Sequence, residues 1–222
     1  MTTILLATQN AKKGRELAEL ARGRFRVQTL ADVGLANLAI VENGATFAEN
    51  ARIKARAVKA ALAPAVVRDI TWVLADDSGL VVDALDGKPG VRSARFAADH
   101  GTGAGDEANN DLLLLLLAPV PDERRSARFA CAVCAVAVDS DAMHEAFGTV
   151  EGHVARARVG SGGFGYDPLF IPVAHAPLRM AELTSEQKHA ISHRGAAMRA
   201  ALATLGGQAR PSAFARARVP RA

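Results

Sequence analysis

At 222 residues, half of them hydrophobic, the chain is long enough to bury roughly 70–75% of its unfolded surface without a disulfide or structural metal, as one large domain or two lobes. Its longest leucine run, Leu112 to Leu117, falls far short of the ~20 apolar residues of a membrane helix. The pI of 9.4 invites a nucleic-acid partner, yet without Arg210, Arg216, Arg218 and Arg221 the chain holds 23 basic and 23 acidic residues, so the body is formally neutral.

These four arginines lie in residues 206–222, which carry no acid; the segment is expected to be a mobile tail appended to a globular unit of residues 1–205. The opening residues lack the basic and long apolar regions of a signal peptide. A soluble cytoplasmic protein, with no membrane or nucleic-acid partner, is expected.

Thr3 to Ala7 reads as a first strand. The polar loop Thr8-Gln9-Asn10-Ala11-Lys12 leads into a helix over Lys13 to Arg22, an order that aims backbone amides at an anion. Thr46 and Glu49 form a capping box that opens a helix from Phe47 to about Leu62. Val73 to Ala75 and Leu80 to Leu85 read as strands flanking a turn at Asp76-Asp77-Ser78-Gly79, and Asp86 to Gly90 as a tight loop. Asp106 to Leu117 reads as a helix whose leucines should all be buried. Arg125 to Val138 and Ala146 to Ala155 read as two long antiparallel strands. A glycine-rich loop, Gly160 to Pro168, precedes a short strand at Leu169 to Ile171. Thr184 with Gln187 marks another capping box, and Ser192 caps a last helix to Leu205. The interleaving predicts an α/β fold with a mixed sheet.

Cys131 and Cys134 have zinc-knuckle spacing but no second pair. Three apart on a strand they point to opposite faces, which disfavours chelation; both read as reduced core thiols.

Chemistry concentrates in four polar clusters. Adjacent carboxylates at Asp76-Asp77 suit a divalent cation, which takes one or two carboxylates plus substrate phosphates; a surface turn with an Asp capping an amide is the other reading. Thr8, Asn10 and Lys13 suit a phosphate chain, although the P-loop pattern is absent and Lys13 fits a solvated helix face equally well. Glu42 and Lys54 bracket the capped helix. Phe164-Gly165-Tyr166-Asp167, with Lys188, His193 and Arg194, offers an aromatic to stack on a base and polar groups to read its edge; each of these also has an ordinary structural role open to it.

As an ordered set, Ala7 to Lys13, Thr46 to Ala51, Ala75 to Leu80, Pro89 to Phe96, Phe164 to Pro168 and Ser192 to Gly195 closely resemble the signature blocks of the Ham1/RdgB inosine triphosphate pyrophosphatases, from about residue 3 to 205. Gln9 departs from the pattern, standing where that family commonly has Gly. The resemblance implies two α/β lobes around a substrate cleft, a homodimer, and Mg2+-dependent hydrolysis of ITP, dITP and XTP to the monophosphate and pyrophosphate. It implies further that Thr8, Gln9, Asn10, Ala11, Lys12 and Lys13 hold the triphosphate, with Lys54 nearby. Glu42 and Asp77 would bind Mg2+, with Asp77 activating water and Lys13 assisting catalysis. Asp76 and Ser78 would support metal and phosphate. Phe164 would stack on the base, in the loop with Gly165 and Tyr166, while Asp167, Lys188, His193 and Arg194 read its edge. A Maf-like pyrophosphatase and a non-catalytic binding module are the competing readings; the last two blocks argue against the first, and the complete set of acid and lysine positions against the second.

Overall fold

The computed structural model of the chain describes residues 1–9, 11–21 and 23–207; of residues 11–13, 15–16 and 65 only the backbone is described. The expected tail therefore lies, from residue 208 onward, outside the described residues. β1 (Thr2–Leu6), α1 (Ala11–Ala21) and β2 (Phe25–Thr29) are followed by α2 (Phe47–Ala61), the single turn α3 (Pro64–Val67) and β3 (Trp72–Val82). The short α4 (Phe96–Asp99) and α5 (Gly105–Leu117) lead to the long strands β4 (Ser126–Ala137) and β5 (Met143–Val154). β6 (Phe170–Pro172), α6 (Ser185–Ile191) and α7 (His193–Gly206) complete the chain.

The strands form one mixed sheet of six in the order β2-β1-β3-β4-β5-β6. β1 pairs in parallel with β2 and β3, whereas each successive pair from β3 to β6 is antiparallel. Alternation along β3 divides the core between the faces. Trp72 and Leu74 pack with Leu17 of α1 and with Ala197, Met198 and Ala201 of α7, while Val73 and Ala75 pack with Ala51, Ala55 and Val58 of α2. Further along the same strands, Leu80, Val82, Phe129 and Val150 join Leu113, Leu117 and Phe170 in a further apolar cluster. Cys131 and Cys134 form no disulfide and are buried in opposite faces, as the spacing predicts.

Two expectations are corrected. Asp76 to Gly79 is not a turn between two strands: β3 runs unbroken from Trp72 to Val82, paired residue for residue with Ala137 to Ala127 of β4. The chain leaves the strand only at Asp83–Leu85, a 3-10 turn. The α5 leucines are not all buried either. Leu112, Leu113 and Leu117 face inward, but Leu115 is 69% exposed, because the helix packs along one side only. Arg125 secures the end of α5 from inside the protein. It is buried, and its guanidinium donates to the carbonyls of Leu117, Val154 and Ala155 at 2.6, 2.8 and 3.0 Å, satisfying an end-of-helix carbonyl that has no intrahelical donor. No described helix is long and apolar enough to cross a membrane.

Candidate active site

The Thr46 hydroxyl accepts from the Glu49 amide at 3.1 Å, and the Glu49 carboxylate accepts from the Thr46 amide at 3.2 Å. This capping box fixes where α2 begins, and so which face carries Asn50 and Lys54, one turn apart. Asn50 is buried; its Oδ1 accepts from the Gly44 amide at 2.8 Å and its Nδ2 donates to Asp77 at 3.0 Å. The Lys54 ammonium lies 3.3 Å from Asp77 and 2.9 Å from Glu42. One lysine is thus shared by two carboxylates, and the cluster has an excess of negative charge.

Burial is the largest influence on Asp77 and pushes its carboxyl above the usual range, against Lys54 and Asn50, which favour the charged form; Glu42 adds to the rise. Burial is also the largest single influence on Lys54, drawing its pKa down, but Asp77, Glu42 and Asp76 together outweigh it and hold the ammonium above its ordinary value. Among the described residues no group of three or more His, Cys, Asp or Glu side chains could hold a metal ion. Mg2+ demands less than that, since it is commonly bound through one or two carboxylates and the substrate's phosphates. Glu42 and Asp77 meet that requirement: both already converge on a cation, the Lys54 ammonium, and together carry one charge more than it neutralises.

Thr8 and Gln9 line a cavity of about 610 Å3 together with Leu38, Glu42, Lys54 and Asp76. The Gln9 amide donates to the Leu38 carbonyl at 3.3 Å, tying the first loop to the segment that leads toward Glu42. Ala11 opens α1, two residues earlier than the sequence suggests. Asn10, and the side chains of Ala11, Lys12 and Lys13, lie outside the described residues.

A second cavity, of about 270 Å3, begins at Asp77 and Ser78 and is rimmed by Phe164, Tyr166, His193 and Arg194. Phe164 stands at the rim, 66% exposed. Tyr166 is buried beneath it, donating its hydroxyl to the Ser93 carbonyl at 2.9 Å. Ser93 in turn accepts from the Leu80 amide at 2.9 Å and donates to the Gly90 carbonyl at 2.6 Å. Gly79 makes this contact possible: a Cβ there would collide with the Ser93 hydroxyl and the Gly90 carbonyl. Asp167 pairs with Lys188 at 3.1 Å; burial nonetheless pushes its carboxyl up, against Lys188 and the Phe164 amide. His193 stacks on Phe129 with ring centroids 5.2 Å apart and planes inclined by 12°. Arg194, beside it at the start of α7, reaches Asp76 at 3.0 Å and the Ser78 hydroxyl at 3.1 Å.

Those predicted residues whose side chains are described gather in two places that share the Asp76–Asp77 peptide. Asp76 lines the first cavity and Asp77 the second. The two carboxylates are held by different elements, Asp77 by α2 and Asp76 by α7. Reading the sequence by motif includes Asn50 and Ser93 in its blocks without giving either a role, and misses Phe129. For Asn50 the signal was present: it precedes Lys54 by one helical turn on the stripe that holds Ala51, Ala55 and Val58.

Fold and site define a mixed α/β protein in which an acid–lysine cluster adjoins an aromatic-rimmed cavity. The Ham1 family model matches residues 4–204, and the chain belongs to that family. It is 46% identical over 209 residues to the dITP/XTP pyrophosphatase of Exiguobacterium sibiricum, covering 92% of this chain and 99% of the relative. Among solved structures, the Staphylococcus aureus Ham1 protein superposes with a TM-score of 0.79 at 35% identity, over 93% of this chain and 99% of that one. The nucleoside-triphosphatase / dITP/XTP pyrophosphatase of Mycobacterium abscessus gives a TM-score of 0.70 at 40% identity, over 93% and 100% of the two chains.

Proposed function

We propose that this chain hydrolyses dITP, ITP and XTP to the monophosphate and pyrophosphate, in a Mg2+-dependent reaction, as a cytoplasmic homodimer. The observation that carries the reaction is the meeting, at the Asp76–Asp77 peptide, of an acid–lysine cluster with a cavity rimmed by Phe164. The kinship with dITP/XTP pyrophosphatases supports the substrate class; the homodimer and the cytoplasmic setting rest on the family resemblance.

Thr8, Gln9, Asn10, Ala11, Lys12 and Lys13 hold the triphosphate in this reading, and Lys54 and Lys13 stabilise the charge that develops as pyrophosphate leaves. When bound by Glu42 and Asp77, Mg2+ supplies further neutralisation of the phosphate oxygens. Asp77 orients water toward the α-phosphorus and accepts its proton. Positioned proton transfer of this kind contributes about 10²–10⁴-fold to rate. Asn50 holds one carboxylate oxygen of Asp77 in place.

On the other side, Phe164 stacks on the base while Asp167, Lys188, His193 and Arg194 face its edge. Hypoxanthine and xanthine carry an oxygen acceptor at position 6 where adenine carries an amino donor, so cationic donors there favour the former. Pyrophosphate release from dITP, XTP and dATP, with Mg2+ and with chelator, tests the reading. Metal-dependent release from dITP and XTP, with little from dATP, is expected; no release from either oxopurine would overturn it.

A further inference from the structure

α5 makes a pair of contacts that none of the roles above requires. Its first turn carries Asp106 and, one turn on, Asn110, and these two side chains grip the backbone of a single residue, Gly165, through the peptides on either side of it, in the loop that bears Phe164. The Gly165 amide donates to Asp106 Oδ2 at 2.6 Å, and the Gly165 carbonyl accepts from Asn110 Nδ2 at 2.8 Å. Gly165 lies in the left-handed region, with φ of 61°. Its neighbours are Phe164, exposed at the cavity rim, and Tyr166, buried below. Asn110 is 1% exposed and also donates to the Asp106 carbonyl at 2.8 Å, so the grip is built into the helix. Asn109 extends the attachment to the opposite wall. Its Oδ1 accepts from the Ala97 amide at 2.8 Å and its Nδ2 donates to the carbonyl of Ala94, a residue lining the same cavity, at 3.3 Å.

The loop is tied to α5 at its other end too, by Arg158, which pairs with Glu107 and with Asp111. Those carboxylates are largely exposed, so these pairs are screened and weak. The firmer hold is at Gly165, where both backbone polar groups are taken and the donor to the carbonyl, Asn110, is buried.

We propose that Asp106 and Asn110 are positioning residues for base selectivity, clamping the backbone on both sides of Gly165 so that the Phe164 ring and the Asp167 carboxylate present a fixed surface to the base. The inference rests on the reading of Phe164 to Asp167 as the base-facing half of the site. The clamp does not touch the acid–lysine cluster, so its loss should loosen recognition of the base and spare the chemical step.

The test compares wild type, Asp106→Ala and Asp106→Asn in steady-state pyrophosphate release from dITP and dATP. Asp106 is exposed, so its truncation leaves the core intact, and the asparagine keeps an oxygen to accept from the Gly165 amide. Losing one hydrogen bond to a charged group predicts about a tenfold rise in KM for dITP with kcat within about twofold. The dITP-to-dATP ratio of kcat/KM should fall by about the same factor, with Asp106→Asn recovering most of it. Asn110→Asp, which keeps the volume and gives up the donor to the Gly165 carbonyl, should shift the same ratio and provides the second variant if Asp106→Ala does not fold. An unchanged ratio, equal losses for both nucleotides, or no recovery in Asp106→Asn would overturn the positioning role while leaving the pyrophosphatase reading intact. No release from dITP or XTP by wild type would overturn that reading, and this inference with it.

Discussion

Lys54 reaches Asp77 from a position one helical turn beyond Asn50, so a single face of α2 sends both an ammonium and an amide to the same carboxylate, at 3.3 and 3.0 Å. The lysine is shared with Glu42 at 2.9 Å, and burial presses against the charge on Asp77 throughout. Such a carboxylate is poorly placed for stability and well placed to act as a base once a cation joins it.

Asp77→Asn is therefore expected to lower turnover of dITP by at least ~10²-fold, the smaller end of what positioned proton transfer contributes. Circular dichroism should be unchanged. Because burial already disfavours the ionised carboxyl, the metal-free variant should unfold at a urea concentration no lower than that of wild type. Near-normal turnover would remove Asp77 from the role of base.

Arg194 partners a carboxylate whose side chain is 2% exposed, that of Asp76. Arg194→Ala removes a cation from a buried charge, and a loss of about 3 kcal/mol in stability is expected. Adding Asp76→Asn to that variant should return a large part of it, measurable as a coupling energy in a urea-unfolding double-mutant cycle. Additive losses would show that the pair contributes little. Selectivity between dITP and dATP is best read in whichever variant folds well.

Cys134 titrates with a pKa raised to about 11, chiefly by burial and secondarily by Glu145. A thiol whose folded pKa exceeds its unfolded value of 9.0 contributes stability that is fully present below pH ~9 and is lost as pH rises toward ~11, because the unfolded chain then releases its proton first. Wild type should lose on the order of 2 kcal/mol more than Cys134→Ala between pH 8 and pH 11. Urea midpoints that move in parallel for the two proteins would contradict this.

Gly79→Ala is expected to destabilise by about 1–3 kcal/mol, the usual effect of forcing a methyl into a packed site, since the new Cβ meets Ser93 and Gly90. The same movement displaces Ser93, whose carbonyl holds the Tyr166 hydroxyl, so KM for dITP should rise as well. Thermal melting and steady-state kinetics on one preparation check both effects.

Local signals in the sequence were reliable where the physics is local. Both complete capping boxes, at Thr46 and Thr184, are present, and Ser192 caps α7. The β4–β5 hairpin pairs antiparallel as its two apolar runs suggest. Asp76-Asp77 misled because two adjacent acids within a strand are tolerable only if each finds its own partner, and those partners are remote in sequence. Asn50 and Lys54 precede Asp77 by 27 and 23 residues, and Arg194 follows Asp76 by 118. Asp106 and Asn110 were unreadable for the same reason, since nothing near them in sequence announces Gly165, 55 residues beyond Asn110. Phe164, Asp167 and Lys188 were singled out by residue type in a pattern; that Asp167 pairs with Lys188 is a fact of the fold.

The unbroken pairing of β3 has a consequence for how such a protein can change over generations. Side chains along the strand alternate between α2 and α7, so a single inserted or deleted residue before Asp76 would send each acid to the other's partner. Point replacements meet no such barrier: apart from β3, which gives Asp76 to one cavity and Asp77 to Leu80 to the other, the lining around Phe164 and the lining around Lys54 come from different segments and can drift separately. Lineages carrying this strand should therefore preserve its length strictly, and acquire new side chains in the cavity wall while the acid–lysine cluster stays as it was.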